Sequence, residues 1–311
     1  MIEKIPTLLP KRIAVKVNKA AERMIRKQHP WIFESAITKQ SKEGRAGDLA
    51  IIYDQKNNKL LAIGLYDPDS PIRIKVLQFK QKANINRAWF HVKIQAAYDR
   101  RKSLFATKPN SYRLIYGEND GLPALITDVY DKVLVIKIYA RIWLPYLKEI
   151  LSLLLEISAC ETAVLRLSRN VQKLLPELED GQVIHGELAK EDIIFLEHGL
   201  HFSANVVKGH KTGYFLDHRH NRKKIGELSK DKSVLDIFAY AGGFSVHALA
   251  GGAKRVVSLD ISAQALEMAK QNVALNDLTA RHETMAVDAF EGMQELAKRN
   301  QIVEFAKQQI G

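Results

Sequence analysis

Between Ser233 and Asp288 the chain repeats one pattern: a short apolar run, a turn or cap, and a helix-forming segment. Ser233-Val-Leu-Asp-Ile-Phe reads as a buried strand, Ala239-Tyr-Ala-Gly-Gly as a glycine turn and Phe244-Ser-Val-His-Ala-Leu-Ala as the start of a helix. Arg255-Val-Val-Ser-Leu-Asp gives a second strand ending at Asp260. Ser262 has the character of an N-cap for a helix to Asn276 that carries Leu266, Ala269 and Val273 on one face. Thr284-Met-Ala-Val-Asp is a third strand, ending at Asp288. A β-α-β-α-β run of this kind predicts a parallel sheet with right-handed crossovers. Ligands of such sheets bind outside the carboxyl ends of the strands.

The residues at those ends narrow the ligand. Dinucleotide sites bring backbone amides to a pyrophosphate through a Gly-x-Gly-x-x-Gly fingerprint, which the Gly242-Gly243 turn lacks. Acidic Asp236 precedes the turn instead, where it would repel a pyrophosphate and suits the ammonium end of S-adenosylmethionine. Asp260, 24 residues on, is placed for ribose hydroxyls, and Asp288 for an adenine edge. Phe238, Tyr240, Gly242 and Phe244 on the turn complete this set of cofactor candidates. The competing reading of each carboxylate is a helix cap in a bland doubly wound domain.

The formal charge of +12 is not evenly spread: residues 1–100 hold 20 Lys/Arg against 9 Asp/Glu, and residues 101–311 are nearly balanced. One-signed charge in one module points to a polyanion partner such as RNA, or to a merely solvated basic surface. In the same region, short alternating runs (Ile13 to Val17, Leu49 to Tyr53, Leu60 to Tyr66, Ile72 to Leu77) read as a small β-rich barrel or sandwich. A basic, partly helical segment from Asn18 ends in Trp31 and Phe33. His29-Pro-Trp-Ile-Phe, the Gly47-Asp48 turn and Gly64-Leu-Tyr-Asp-Pro-Asp-Ser-Pro-Ile-Arg resemble a PUA domain, an RNA-binding module. Lys11, Arg12, Lys19, Arg23, Arg26, Lys27, Trp31 and Phe33 are the expected RNA contacts.

A helix over 86–105 leads into strands at 112–116, 124–130, 133–139 and 163–167 around one helix, Leu144 to Ile157. The fold class is therefore α/β and α+β multidomain: a β-rich PUA-like domain (1–83), an α+β middle domain (84–198) and an incomplete Rossmann-like domain (199–311). The single Cys, Cys160, excludes an intramolecular disulfide and suits a reducing cytoplasm. It reads as a small buried hydrophobe. No stretch approaches the roughly 20 apolar residues of a membrane span.

Upstream of the glycine turn stands Lys208-Gly-His-Lys-Thr-Gly-Tyr-Phe-Leu-Asp-His-Arg-His-Asn-Arg. With Leu235-Asp-Ile-Phe-Ala-Tyr-Ala-Gly-Gly-Phe-Ser-Val, this run resembles the bacterial PUA-containing class I 23S rRNA 5-methylcytosine methyltransferases, over about residues 11–300. The resemblance implies S-adenosylmethionine as cofactor and 23S rRNA as partner. It also implies that Thr212, Gly213, Phe215, Asp217 and Arg219 wall or order the cofactor pocket. His210 and His218 stand where relatives often carry Gln; with His220 they read as surface or capping histidines rather than metal ligands.

Two expected features are missing. Family members attack cytosine C6 with a Cys and carry an Asp-Pro-Pro loop, whereas residues 199–311 hold no Cys and all nine prolines lie at or before Pro176. The expectation is a member truncated near Gln301, as by a frameshift, with no catalytic residue and no turnover of its own. Val234 to Phe238 would then form an exposed apolar sheet edge open to self-association. A non-catalytic RNA-binding protein on the same scaffold is the alternative. A base-N or ribose methyltransferase, needing no Cys nucleophile, is a weaker one.

Overall fold

The computed structural model describes residues 9–298. They form two compact units: residues 9–103, 112–191 and 206–213 in the first, and 104–111, 192–205 and 214–298 in the second.

The first unit opens with β1 (Arg12–Val17), α1 (Lys19–Arg26), β2 (Trp31–Ile32), β3 (Ile37–Gln40), β4 (Leu49–Tyr53), β5 (Leu60–Tyr66) and β6 (Ile74–Phe79). These strands make one sheet in the order β2-β6-β5-β4-β1-β3, with β1 parallel to β4. Period-two alternation decides the faces: Ile13, Val15 and Val17 enter the core with Ile52, Ile74 and Ile25 of α1, while Arg12, Ala14 and Lys16 point outward. Asn18 starts α1 by accepting from the Ala21 amide at 2.9 Å.

The same unit continues with α2 (Arg87–Arg101), β7 (Ser111–Tyr116), β8 (Leu125–Tyr130), β9 (Val133–Ile138), α3 (Leu147–Ser158), β10 (Thr162–Leu167), α4 (Arg169–Leu174) and β11 (Gln182–His185). The strand order is β11-β10-β9-β8-β7, and α3 links the parallel pair β9 and β10. Trp143 is fully buried, its Nε1 donating to the Pro123 carbonyl at 2.8 Å, and Phe90 of α2 meets both Trp143 and Tyr146 edge-on. The Tyr146 hydroxyl donates to the Gly47 carbonyl at 2.9 Å. Gly47, at φ +87°, has no room for a side chain, since a Cβ would lie 2.7 Å from the Ile142 carbonyl oxygen. This close approach joins the first sheet to the 141–146 turn.

The second unit holds the hairpin β12 (Asp192–Glu197) and β13 (Leu200–Asn205), α5 (Arg219–Leu228), β14 (Ser233–Ile237), α6 (Gly243–Ala250), β15 (Arg255–Asp260), α7 (Ala263–Ala274), β16 (His282–Ala286) and α8 (Ala289–Lys298). Strands β14, β15 and β16 form a parallel sheet in that order, with Asp236 beside Ser258 and Asp260 beside Ala286. Among the described residues β14 pairs on one side only, as the expected sheet edge does.

Several sequence expectations shift. The third strand covers His282–Ala286 rather than Thr284 to Asp288, because the Asp288 carboxylate accepts from the Phe290 amide at 2.9 Å and starts α8 instead. The helix expected from Leu144 begins at Leu147, after a 3₁₀ segment over Arg141–Tyr146 that contains Pro145. Strands β11 to β13 and helix α4 escaped the sequence reading. They are four to six residues long and separated by polar stretches such as His185-Gly-Glu-Leu-Ala-Lys-Glu-Asp. The expected change near Gln301 lies outside the described residues. No described helix is long and apolar enough to cross a membrane.

Trp143→Ala should remove about 3–5 kcal/mol of stability from the first unit through the cavity it leaves. Denaturant unfolding followed by tryptophan fluorescence and circular dichroism measures this directly; an unchanged midpoint would contradict the packing described.

Candidate functional site

Strand β14 runs into a turn of unusual backbone: Phe238 (φ 60°), Tyr240 (φ 47°) and Gly242 (φ 69°) are all left-handed. The conformation is held from several directions. The Ala239 amide donates to the Leu259 carbonyl at 3.1 Å, the Tyr240 amide to Asp260 Oδ2 at 2.9 Å, and Asn272 Nδ2 to the Ala241 carbonyl at 2.8 Å. Gly242 must lack a side chain, since a Cβ would sit 2.7 Å from that of Ala269 on α7. Gly243 must too, because the Tyr214 hydroxyl occupies the space a Cβ would need.

The three carboxylates expected from the sequence all reach the carboxyl end of this sheet, in different states. Asp236 is buried; its Oδ2 accepts from the Ser245 amide at 3.1 Å and from Ser245 Oγ at 2.7 Å. No described residue donates to its Oδ1. Burial pushes its pKa up to about 6, against the pull of the Ser245 hydrogen bonds and with a further push from Asp260. Ser245 Oγ lies 2.6 Å from Ser258 Oγ, which lies 2.7 Å from His282 Nε2. Asp260 is partly exposed and accepts from the amides of Tyr240 and Ser262, both at 2.9 Å. Asp288 is exposed and caps α8.

Around these carboxylates stand three large apolar side chains with little cover: Phe238 is 76% exposed, Ile261 77% and Phe290 71%. Clustered exposure of this kind marks a binding surface more often than a neutral one. Ile261 and Phe290 escaped the sequence reading, although each follows an acidic strand-end residue closely: Ile261 is next to Asp260, and Phe290 two beyond Asp288. Phe215 meets Tyr240 edge-on at 5.4 Å, and His218 lies 6.1 Å from Phe244.

Behind the turn lies a buried ionic knot that the sequence reading also missed. Glu197, at the end of β12, is wholly buried and takes two hydrogen bonds from Arg222 of α5, each 2.6 Å, and one contact of 3.1 Å from His247 Nε2 of α6. Burial pushes the Glu197 pKa up, but hydrogen bonds from Arg222 and His247 and the charges of Arg222 and Arg219 outweigh it and hold the pKa at about 2. Arg222 also donates to the Phe215 carbonyl at 2.9 Å and stacks over the Tyr214 ring at 4.8 Å. Glu197 stands 25 residues before Arg222 and 50 before His247 with no motif between, so no spacing announces the knot.

The five pocket residues implied by the resemblance divide accordingly. Phe215 and Asp217 keep accessible side chains. Arg219 is buried and donates to the Ser111 carbonyl at 2.6 Å, with its Nε 3.8 Å from Glu197. Thr212 is buried in the first unit, where its hydroxyl donates to the Asp128 carboxylate that Arg113 grips at 2.8 and 2.9 Å. Gly213, at φ +132°, ends that segment. The expected RNA contacts Lys11, Arg12, Lys19, Arg23, Arg26, Lys27, Trp31 and Phe33 are all exposed. Arg26 is shared with Glu22 and Asp54 at 3.8 Å, and Trp31 Nε1 donates to Glu118 at 3.0 Å. His210, His218 and His220 are exposed as well.

Residues 15–79 match the PUA-like domain family, and residues 169–301 match the S-adenosylmethionine-dependent methyltransferase family. A ribosomal RNA large subunit methyltransferase of Deinococcus radiodurans is 45% identical over 288 residues, covering 90% of this chain and 70% of that protein. Ribosomal RNA large subunit methyltransferase I of Tolumonas auensis is 37% identical over 292 residues, covering 92% and 73%. Among solved structures, a Streptococcus mutans protein described as a SAM-dependent methyltransferase superposes with a TM-score of 0.78 at 19% identity, over 92% of this chain and 73% of that one. Another, described as a methyltransferase complexed with SAH, gives 0.77 at 20% identity, over 93% and 73%. At such identities the superpositions speak for the fold. The sequence relatives speak for more: the chain belongs to the PUA-containing, S-adenosylmethionine-dependent ribosomal RNA large subunit methyltransferases.

Glu197→Ala should cost the second unit about 3–5 kcal/mol by stranding the buried Arg222 charge. The native contribution of Glu197 is complete above the ordinary glutamate value of about 4.3 and is lost as pH falls toward its folded pKa. Stability of the parent measured from pH 5 to pH 2 should therefore drop, and the drop should be smaller in the variant. Gly243→Ala should displace Tyr214 and weaken cofactor binding more than tenfold; unaltered binding by calorimetry would refute the close contact.

Proposed function

We propose that the second unit binds S-adenosylmethionine across the carboxyl ends of β14, β15 and β16, and that the chain recognises 23S rRNA as a member of a cytosine-C5 methylating family. The observation that carries the cofactor site is Asp236: a buried carboxylate with one oxygen bound by Ser245 and the other without a described donor. Such an oxygen suits the cofactor's ammonium group. Asp260 is placed to accept from the ribose hydroxyls, with Tyr240, Gly242 and Phe244 on the adjoining turn. Asp288 is placed for the adenine edge, and Phe238, Ile261 and Phe290 supply apolar cover for a flat ring. Phe215 borders the same turn through Tyr240, Asp217 follows it two residues on, and Arg219 anchors the start of α5 behind them; Thr212 and Gly213 stay in the proposal as residues that wall or order the pocket.

The cofactor supplies an electrophilic methyl group. Accepting it at cytosine C5 requires a thiolate to add to C6 first. Cys160 does not fit that role, since it is buried in the first unit and burial pushes its thiol pKa up. We therefore infer that these 311 residues provide cofactor and RNA recognition without the nucleophile. The same fact supports the second reading, an RNA-binding protein on a methyltransferase scaffold. The division into modules 1–83, 84–198 and 199–311, a cytoplasmic location and self-pairing through the edge of β14 belong to this proposal.

Calorimetry tests the site. The parent should bind S-adenosylmethionine, more tightly as pH rises from 5 to 7, because Asp236 ionises near 6 and only its anion attracts the cation. Asp236→Ala should lose at least tenfold in affinity and most of that pH dependence; a variant binding as well as the parent would sink the assignment. With labelled cofactor and 23S rRNA, the 311-residue chain should transfer no methyl group, and turnover would overturn the inference about the nucleophile.

A further inference from the structure

We infer that the outward face of the first sheet is a groove for single-stranded RNA, centred on Ala14 and walled by Lys16, Lys39 and Tyr53. The inference rests on the proposal that RNA is the partner, and it assigns the contact to a surface other than α1.

Two cavities of about 680 and 400 Å³ adjoin on this face and share Ala14, Ser41 and Tyr53 in their walls. Their floor follows from strand alternation. Arg12, Ala14 and Lys16 are the outward residues of β1, and the small Ala14 between two long cations leaves a depression. Four cations, Arg12, Lys16, Lys39 and Lys82, line the two cavities, and no carboxylate does.

None of these four has a carboxylate within ion-pair distance among the described residues. Lys16 hydrogen-bonds the Gln55 carbonyl at 3.2 Å and feels the Asp54 carboxylate only from beyond ion-pair distance, and Arg12 reaches the Asn84 side-chain oxygen at 3.4 Å. Lys16 and Lys39 moreover stand directly opposite each other on β1 and β3. Like charges in register on neighbouring strands destabilise a sheet, and an anion laid across them removes the repulsion. On α1, by contrast, Arg26 already has Glu22 and Asp54.

Tyr53 narrows the anion to a nucleic acid strand. It pairs with Lys16 on the other side of β1, so Lys39, Lys16 and Tyr53 form one row across three strands. A row of cations ending in a partly exposed aromatic ring matches a phosphate backbone with an unstacked base beside it. A duplex offers phosphates but no base face, and an acidic peptide offers carboxylates but little to stack.

The test is fluorescence anisotropy with a labelled single-stranded oligouridylate long enough to cross the sheet, over a salt series, with S-adenosylmethionine calorimetry run on every variant. Lys16→Ala combined with Lys39→Ala should weaken binding and reduce the slope of log affinity against log salt by about 1.4, at about 0.7 per lost phosphate contact. Tyr53→Leu should weaken binding between about fivefold and a hundredfold and leave that slope unchanged. Lys19→Ala on α1 combined with Lys27→Ala at its C-cap should do much less. Groove variants that bind as the parent does would overturn the inference, as would a parent that binds no oligouridylate. Equal loss of polyglutamate and RNA binding, with Tyr53→Leu silent, would make the face an acidic-protein site and also overturn it. Loss of cofactor binding by the parent would count against the proposed function instead.

Discussion

A carboxylate with no solvent contact holds the second unit together. Glu197 would be intolerable alone in that interior, where an unpaired charge costs several kcal/mol. It is tolerable because Arg222 grips both its oxygens, His247 meets one of them, and Arg219 adds charge from nearby. The hairpin, α5 and α6 thereby share one electrostatic centre. The consequence is directional: Arg222 cannot turn away without breaking the pair, so the Phe215 carbonyl and the Tyr214 ring stay where it holds them. Tyr214 in turn fills the space that Gly243 leaves, and the glycine turn inherits its position from the knot.

Polar groups at the mouth of the sheet divide into those that build it and those left for a ligand. Asp260 gives one lone pair of each oxygen to a backbone amide and so shapes the turn, while its partial exposure leaves the remaining lone pairs open to a ligand. Asp236 spends one oxygen, and desolvation makes its ionisation depend on what approaches the other. The apolar residues beside them contribute no internal packing to match their size, which is why their exposure is informative.

Much of this was legible in the sequence because local rules governed it. Alternation gave β1, β4 and β5, since one face of each is core. The cap at Ser262 gave α7, and the run of apolar residues before Asp236 and Asp260 gave the parallel strands. Asp236 and Asp260 fell into place on β14 and β15 for the same reason, each lying in a recognisable apolar strand. What was missed depends on long-range pairing. Glu197 and His247 look unremarkable until the chain brings them 3.1 Å apart. Thr212 bonds Asp128, 84 positions earlier, a pairing that no local pattern announces. Asp288 was assigned to a strand because its helix-capping bond competes with strand continuation and wins.

The chain of hydroxyls beneath the turn has a polarity that the carboxylate dictates. Each serine has one proton to give, and when Asp236 is ionised Ser245 gives its proton there. Ser245 can then only accept from Ser258, and Ser258 can only accept from the imidazole of His282. The ionised carboxylate on the first strand thus selects the Nε2–H tautomer of a histidine on the third. Two positions separated by the width of the sheet share one proton order, and neutralising Asp236 frees all three links to reverse together.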